Sequence, residues 1–260
     1  LSGRVQLTLS GAHAVVTLDN LERMNAMTVA MWHDLAQVFE RAAALPEVRL
    51  VVVRGQGKHF CAGGDISEYP GFRFTEQGLT RFHEEQVWVG LDAILNCPVP
   101  VIAVIEGNCM GAGLEIASCC DVRLASEDSR FGAPIAKLGF PMAPRELRLV
   151  ASRLGTSLAA DVLLAAQILA APRLYATGFL HALASAGALQ ELAQQKVTQM
   201  LQLAPHAARM NKHGLRCLQS GDEAAWASWA EEAYGYASSP EHREGVSAFL
   251  EKRPPRFSQG

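Results

Sequence analysis

A chain of 260 residues, 49% apolar and 19% charged, has the composition of a globular protein with a sizeable core. Its formal charge of −3 and lack of any long Lys/Arg run argue against a nucleic-acid binder. No stretch reaches the ~18–20 uninterrupted apolar residues that span a bilayer, and Leu1-Ser2-Gly3-Arg4 opens no signal core, so a soluble cytoplasmic protein is expected.

Residues 5–9 and 14–18 are short apolar runs separated by Ser10-Gly11, a hairpin signal. Residues 25–44 read as a helix, with Met27, Met31, Leu35, Val38 and Phe39 at helical spacing. Residues 50–53 are a dense β-branched run bounded by Gly55 and Gly57, the pattern of a buried parallel strand. Residues 99–105 repeat that pattern and 122–125 are a weaker third case, while 111–120 between them have helical composition. Strands alternating with helices imply parallel crossover units, hence an α/β core.

Beyond about residue 145 the chain turns helical: 145–202 carry Ala and Leu at helical spacing, broken near Pro172 and Gly178. Residues 226–236 and 241–251 are further short helices, where Trp226 and Trp229 read as packing or interface residues. The tail 252–260, with Pro254-Pro255, reads as loose. The six cysteines form no C-x-x-C pair and read as buried thiols in a reducing compartment.

Two glycine-rich turns follow predicted strands, at the strand ends where open α/β sheets place ligands. They are Gly57-Lys58-His59-Phe60-Cys61-Ala62-Gly63-Gly64-Asp65 and Glu106-Gly107-Asn108-Cys109-Met110-Gly111-Ala112-Gly113-Leu114-Glu115. Glycines admit backbone conformations closed to residues with a Cβ, and the second turn leads into a helix whose first N–H groups lack intrahelical partners. One strand-end N–H plus one helix-start N–H can hold a developing oxyanion, each donor being worth about 3–4 kcal/mol in other enzymes. The same turns could serve only tight helix–strand packing. The second matches neither G-x-G-x-x-G nor a P-loop. Glu115, three residues past Ala112 on one helix face, has two readings. It is a proton-transfer carboxyl whose pKa an apolar surround raises, or a complement to the helix dipole.

Together these segments resemble the crotonase (enoyl-CoA hydratase/isomerase) family. The landmarks run in family order: Arg23-Met24-Asn25-Ala26-Met27, Phe60-Cys61-Ala62-Gly63-Gly64-Asp65 and Pro100-Val101-Ile102-Ala103-Val104-Ile105-Glu106-Gly107. Gly111-Ala112-Gly113-Leu114-Glu115-Ile116-Ala117, Cys120-Asp121 and Leu138-Gly139-Phe140-Pro141 follow, so the resemblance covers roughly 5–178. It implies an α/β spiral of repeated ββα turns, with a spiral core over 1–200 and a helical region over 201–260 that mediates trimer formation. Homotrimers or homohexamers are the expected assemblies.

The resemblance further implies an enzyme of fatty acid metabolism acting on an acyl-CoA thioester through an enolate. Coenzyme A enters with the substrate, and no metal or other cofactor is expected. The N–H groups of Gly64 and Ala112 would form the oxyanion hole, and Glu115 would be the acid/base. Arg23, Met24 and Ala26 from the first landmark, Ala62, Gly64, Asp65, Ile66 and Ser67 from the second, and Ala112 would border the coenzyme A thioester.

In hydratases of the family a second glutamate follows the Phe-Gly-x-Pro step. Here Phe131-Gly132-Ala133-Pro134 is followed by Ile135, and Met142-Ala143-Pro144-Arg145 replaces the usual glycine-rich run. Water addition needs water activated and the α-carbon protonated; a double-bond shift needs one base. Glu115 alone therefore points to isomerase-like chemistry over efficient hydration. The alternatives are a catalytically weak acyl-CoA-binding relative and a decarboxylase of malonyl-type thioesters. His83, Glu84 and Glu85 fall in a segment that by resemblance helps cover the acyl pocket. They have two readings, a source of another acid in place of the missing glutamate and a solvated helix face, and the second is the simpler. His59 reads as flanking the nucleotide end; Arg145 and Glu146 carry no assigned role.

Overall fold

The computed structural model describes residues 3–257. Among them the strands are β1 (Arg4–Ser10), β2 (His13–Asp19), β3 (Leu50–Gly55), β4 (Val101–Ile105), β5 (Asn108–Met110), β6 (Val122–Ser126), β7 (Arg130–Gly132), β8 (Leu169–Ala170) and β9 (Ala182–Ala184). They form a six-stranded sheet in the order β1-β2-β3-β4-β6-β9 and a three-stranded sheet in the order β5-β7-β8. The β1–β2 hairpin is antiparallel, and every later pairing in the large sheet is parallel. Gly11 makes the hairpin turn with φ +58°, a conformation that favours glycine.

Helices α1 (Val29–Ala44), α2 (Glu76–Phe82), α3 (Trp88–Leu95) and α4 (Ala112–Cys119) lie in the first half of the chain. They are followed by α5 (Pro144–Leu154), α6 (Thr156–Leu163), α7 (Ala171–Ala176), α8 (Leu189–Leu201), α9 (Pro205–Ser220), α10 (Glu223–Glu232) and α11 (Pro240–Leu250). No helix among the described residues is long and apolar enough to cross a membrane.

Alternation along the parallel strands explains why they read as unbroken apolar runs. Val51, Val53, Val101, Ala103 and Ile105 face one way and pack with Leu35 and Phe39 of α1, Leu91 of α3 and Leu114 of α4. Leu50, Val52, Ile102, Val104 and Leu124 face the other way, onto Leu189, Ala193 and Val197 of α8. A sheet buried on both faces takes few polar residues, and those it takes are hydrogen-bonded: Arg123 of β6 donates to Phe179 O at 2.6 Å. The chain winds as a spiral: β4 feeds the large sheet, β5 the small one, α4 packs outside them, and β6 and β7 repeat the first two steps.

Four expectations need correction. The helix read over 25–44 starts at Val29, with the Thr28 side chain accepting from the Met31 N–H at 3.2 Å. Met24 and Asn25 instead take left-handed φ values of 50° and 60°, because the Asn25 amide is needed elsewhere, as described below. The stretch 145–202 is not simply broken helix: β8 and β9 interrupt it. The tail is tied down as far as Phe257, since Arg253 grips Glu244 with two hydrogen bonds of 2.7 and 2.9 Å and Phe257 packs beside Gly245. The last three residues of that stretch lie outside the described residues. The read helix over 226–236 runs from Glu223, capped by Asp222, to Glu232.

All six cysteines are free and buried. Asp121 anchors α9 to the core, pairing with the buried Lys212 at 2.8 Å and with Arg216 at 2.9 Å.

Candidate active site

The two glycine turns are laced together by backbone. Phe60 N–H donates to Glu106 O, Cys61 N–H to Asn108 O and Met110 N–H to Cys61 O, all within 2.8–2.9 Å. Asn25 closes this knot: its Nδ2 donates to Gln56 O and His59 O at 2.8 and 2.7 Å, and its Oδ1 accepts from Asn20 N–H. Opposite Met27, the Gly63 carbonyl accepts from Met27 N–H and Asp65 N–H donates to Met27 O. Extended backbone alternates, so the intervening Gly64 N–H points away from Met27. Gly111 enters α4 with φ 46° and ψ −110°, leaving Ala112 as the first helical residue. Among the described residues neither the Gly64 nor the Ala112 N–H has an acceptor. Both residues line one cavity.

Glycine is required twice here by close approach. A Cβ on Gly64 would stand 2.5 Å from the Tyr69 hydroxyl, and one on Gly113 would stand 2.7 Å from Cys61 O and 2.9 Å from Cys61 Cβ.

The cavity is about 550 Å³, within the range of small-molecule sites. Trp32, Phe82, Val87, Ile135, Phe140 and Met142 make much of its apolar lining. Glu115 projects into it from the first turn of α4. Burial pushes its carboxyl up to about 8, helped by the nearby charge of Glu146 and opposed by Arg73. The apolar surround therefore outweighs the helix N-terminus, whose dipole favours the ionised form.

Across from the turns the wall is made of side chains. A π-helical turn, His83–Val87, joins α2 to α3 and carries His83 into the cavity. The His83 Nδ1 meets Glu146 Oε1 at 2.8 Å, and Glu146 is buried to 1% exposure. The Nε2 lies 3.5 Å from Arg73 Nη1. Arg73 packs against two rings, with its guanidinium carbon 3.6 Å from the Phe140 centroid and 4.4 Å from that of Tyr69.

The structure thus gathers Glu115, Gly64, Ala112, Met24, Ala62 and Ile66 around one cavity. Arg23, Ala26, Asp65 and Ser67 lie outside its lining. Ala26 and Asp65 are buried beneath, Asp65 accepts from both the N–H and hydroxyl of Ser67, and Arg23 sits 3.6 Å from Asp65 on the outside. His59 also lies outside, its Nδ1 accepting from Asn108 N–H at 3.2 Å. Of the segment read as a solvated face, Glu84 and Glu85 pair with Arg145 and Arg81, but His83 turns inward. Sequence reasoning missed the inward His83, the buried Glu146, Tyr69 and Arg73. The departures from the family pattern at Ile135 and at Met142-Ala143-Pro144-Arg145 were the available signs that this wall is rebuilt.

The sequence pattern of the enoyl-CoA hydratase/isomerase family matches residues 9–260. The chain is 32% identical over 250 residues to 2,3-dehydroadipyl-CoA hydratase of Escherichia coli, covering 94% of each chain. An enoyl-CoA hydratase/carnithine racemase from Magnetospirillum magneticum superimposes with a TM-score of 0.92 at 33% identity, covering 98% of this chain and 96% of that one. An enoyl-CoA hydratase from Polaromonas superimposes with a TM-score of 0.90 at 27% identity, covering 98% and 100%.

Proposed function

This chain belongs to the enoyl-CoA hydratase/isomerase family, with the crotonase fold, and from that premise we propose a one-base enolate reaction on an acyl-CoA thioester. The amides of Gly64 and Ala112 receive the thioester oxygen. Ionised Glu115 takes a proton from the α-carbon, the electron pair moves onto that oxygen, and the two N–H groups stabilise the enolate. In a 3-enoyl thioester the charge extends to the γ-carbon, and Glu115 returns its proton there. The double bond moves into conjugation and no atom is gained or lost.

The observation that carries this reading is the pairing of Glu115 with Ile135 in one cavity: one carboxyl raised toward neutrality stands where no second carboxyl follows Pro134. With a pKa of about 8 only about one Glu115 in ten is ionised at pH 7, so isomerisation should climb with pH up to that value.

A second reading, hydration, is favoured by one specific contact. His83 is held by Glu146 at 2.8 Å, the arrangement of an imidazole oriented by a carboxylate. His83 could activate water while protonated Glu115 supplies the α-carbon proton.

The deciding experiment offers purified protein a 3-enoyl-CoA, crotonyl-CoA and methylmalonyl-CoA, each beside Glu115→Gln. Turnover of the 3-enoyl ester, lost in the variant, is the expected result. Faster turnover of crotonyl-CoA favours hydration, loss of carboxylate from methylmalonyl-CoA favours decarboxylation, and binding without turnover leaves an acyl-CoA-binding protein.

We further propose that the C-terminal helices assemble into a trimer or a pair of trimers, since Tyr234, Phe249 and Leu250 are 73–82% exposed. Light scattering that finds only monomers would overturn this.

A further inference from the structure

Arg73 is the one cation among the cavity's residues that is packed against aromatic rings beside Glu115 and His83. Arginine stays charged in proteins, and a charge taken partly out of water calls for a partner. Among the described residues no carboxylate oxygen lies within 4.0 Å of it. Its Nε is buried with no hydrogen-bond acceptor, and its closest polar contact is the 3.5 Å approach to His83 Nε2. Glu146 reaches it only across that imidazole. Glu115 pulls against Arg73 electrostatically, but at a pKa of about 8 it is mostly neutral near pH 7.

We propose that Arg73 receives a second carboxylate on the acyl group, so that this pocket selects thioesters of short dicarboxylic acids. The proposal rests on the acyl-CoA reading above and names the substrate class of that same site. The Phe140 and Tyr69 rings, their planes 69° apart, pack against the guanidinium without enclosing both of its faces, and its terminal N–H groups are the part that takes a carboxylate.

Tyr69 also sets the spacing. Its hydroxyl stands at Gly64, where a Cβ would be 2.5 Å away, and its ring carries Arg73 at 4.4 Å. The charge and the residue whose amide is assigned to the thioester oxygen are thus neighbours of the same tyrosine, which suits a short acyl chain. Phe82, Val87 and Met142 line the same space and offer no polar group to stand in for the missing carboxylate of a monoacid. A site built around a polar group discriminates sharply against ligands that lack it.

The test is calorimetric binding of saturated esters in pairs of equal chain length: succinyl- against butyryl-CoA, glutaryl- against pentanoyl-CoA, adipyl- against hexanoyl-CoA. Wild type should bind the dicarboxylic member about 10–100-fold more tightly in at least one pair. Arg73→Met and Arg73→Gln should bring that ratio close to one, while Arg73→Lys keeps part of it. The absence of preference in every pair overturns the proposal, and needs no variant that folds. So does a preference that survives in Arg73→Met. If Arg73→Met weakens both members of each pair alike, the arginine serves the coenzyme A part and the proposal also fails. If no ester binds wild type at all, the acyl-CoA reading itself fails, an outcome distinct from the others.

Discussion

The two walls of the cavity are built from different material. One consists of backbone: the turns 57–64 and 106–112, pinned to each other by main-chain hydrogen bonds and by the Asn25 amide, with two N–H groups left over. The other consists of side chains from segments far apart in the chain, Tyr69, Arg73 and His83 on one side and Ile135, Phe140 and Glu146 on the other. The backbone wall offers the same donors whatever side chains change around it, so it suits the step shared by every thioester enolate. The side-chain wall can be altered one residue at a time, so it suits the choice of substrate and of proton route. Glu115 belongs to the first wall by position and to the second by environment, since its pKa is set by burial and by Glu146 and Arg73.

The largest expected effect comes from breaking the backbone wall without touching a side-chain function. Ala112→Pro deletes one N–H at the first helical position, where proline's fixed φ is tolerated. Turnover should fall about 10²–10³-fold, the usual cost of removing one oxyanion donor, with far-UV circular dichroism retained. Unchanged turnover would remove Ala112 from the mechanism.

Next in size is the stability held in Glu115. Its pKa rises from 4.5 to about 8 on folding. Between those values the folded protein holds a proton that the unfolded chain has lost, so unfolding free energy falls as pH rises across that window. Glu115→Gln has nothing to ionise. Its stability relative to wild type should be about equal near pH 4 and greater by a few kcal/mol above about pH 8. Urea titrations at both ends of the range measure the difference, and parallel stability curves for the two proteins would show that Glu115 is not perturbed.

The two walls also differ in how plainly the chain declares them. Gly63, Gly64, Gly111 and Gly113 are visible as residue types, and the strands before them as β-branched runs, so the backbone wall could be read from spacing and resemblance. Asn25 was harder: apolar periodicity at Met27 and Met31 runs on past it and hides the left-handed turn that its hydrogen bonds require. The side-chain wall has no local signature. His83 and Glu146 are 63 positions apart. The π-helical turn at His83 also carries an additional residue relative to an α-turn, so a helical face drawn at 3.6 residues per turn slips past it. Glu84 and Glu85 stayed on the outer face while His83 did not.

A smaller effect tests how tightly the backbone wall is packed. Gly113→Ala places a methyl 2.7 Å from Cys61 O, and neither the turn nor α4 can move without shifting the Ala112 amide. A stability loss of about 1–3 kcal/mol is expected, with reduced turnover at temperatures where the protein stays folded. Full activity at full stability would mean that the two turns are looser than their hydrogen bonds suggest.

The smallest effect separates the one-base reading from its competitor. If Glu115 alone moves the proton, His83 only fills and polarises the cavity, and His83→Ala should change isomerisation by less than about tenfold. The pH profile gives an independent check, because a base must be ionised and an acid protonated. A one-base isomerase gains activity as pH rises to about 8, whereas a hydratase drawing its α-carbon proton from Glu115 loses activity over the same approach. A rising profile that survives His83→Ala leaves Glu115 as the sole base. A falling profile, combined with a loss of about 10²-fold or more in His83→Ala and in Glu146→Gln, would transfer half of the chemistry to the side-chain wall. Ile135 would then mark a second acid/base that has moved to a new place in the chain.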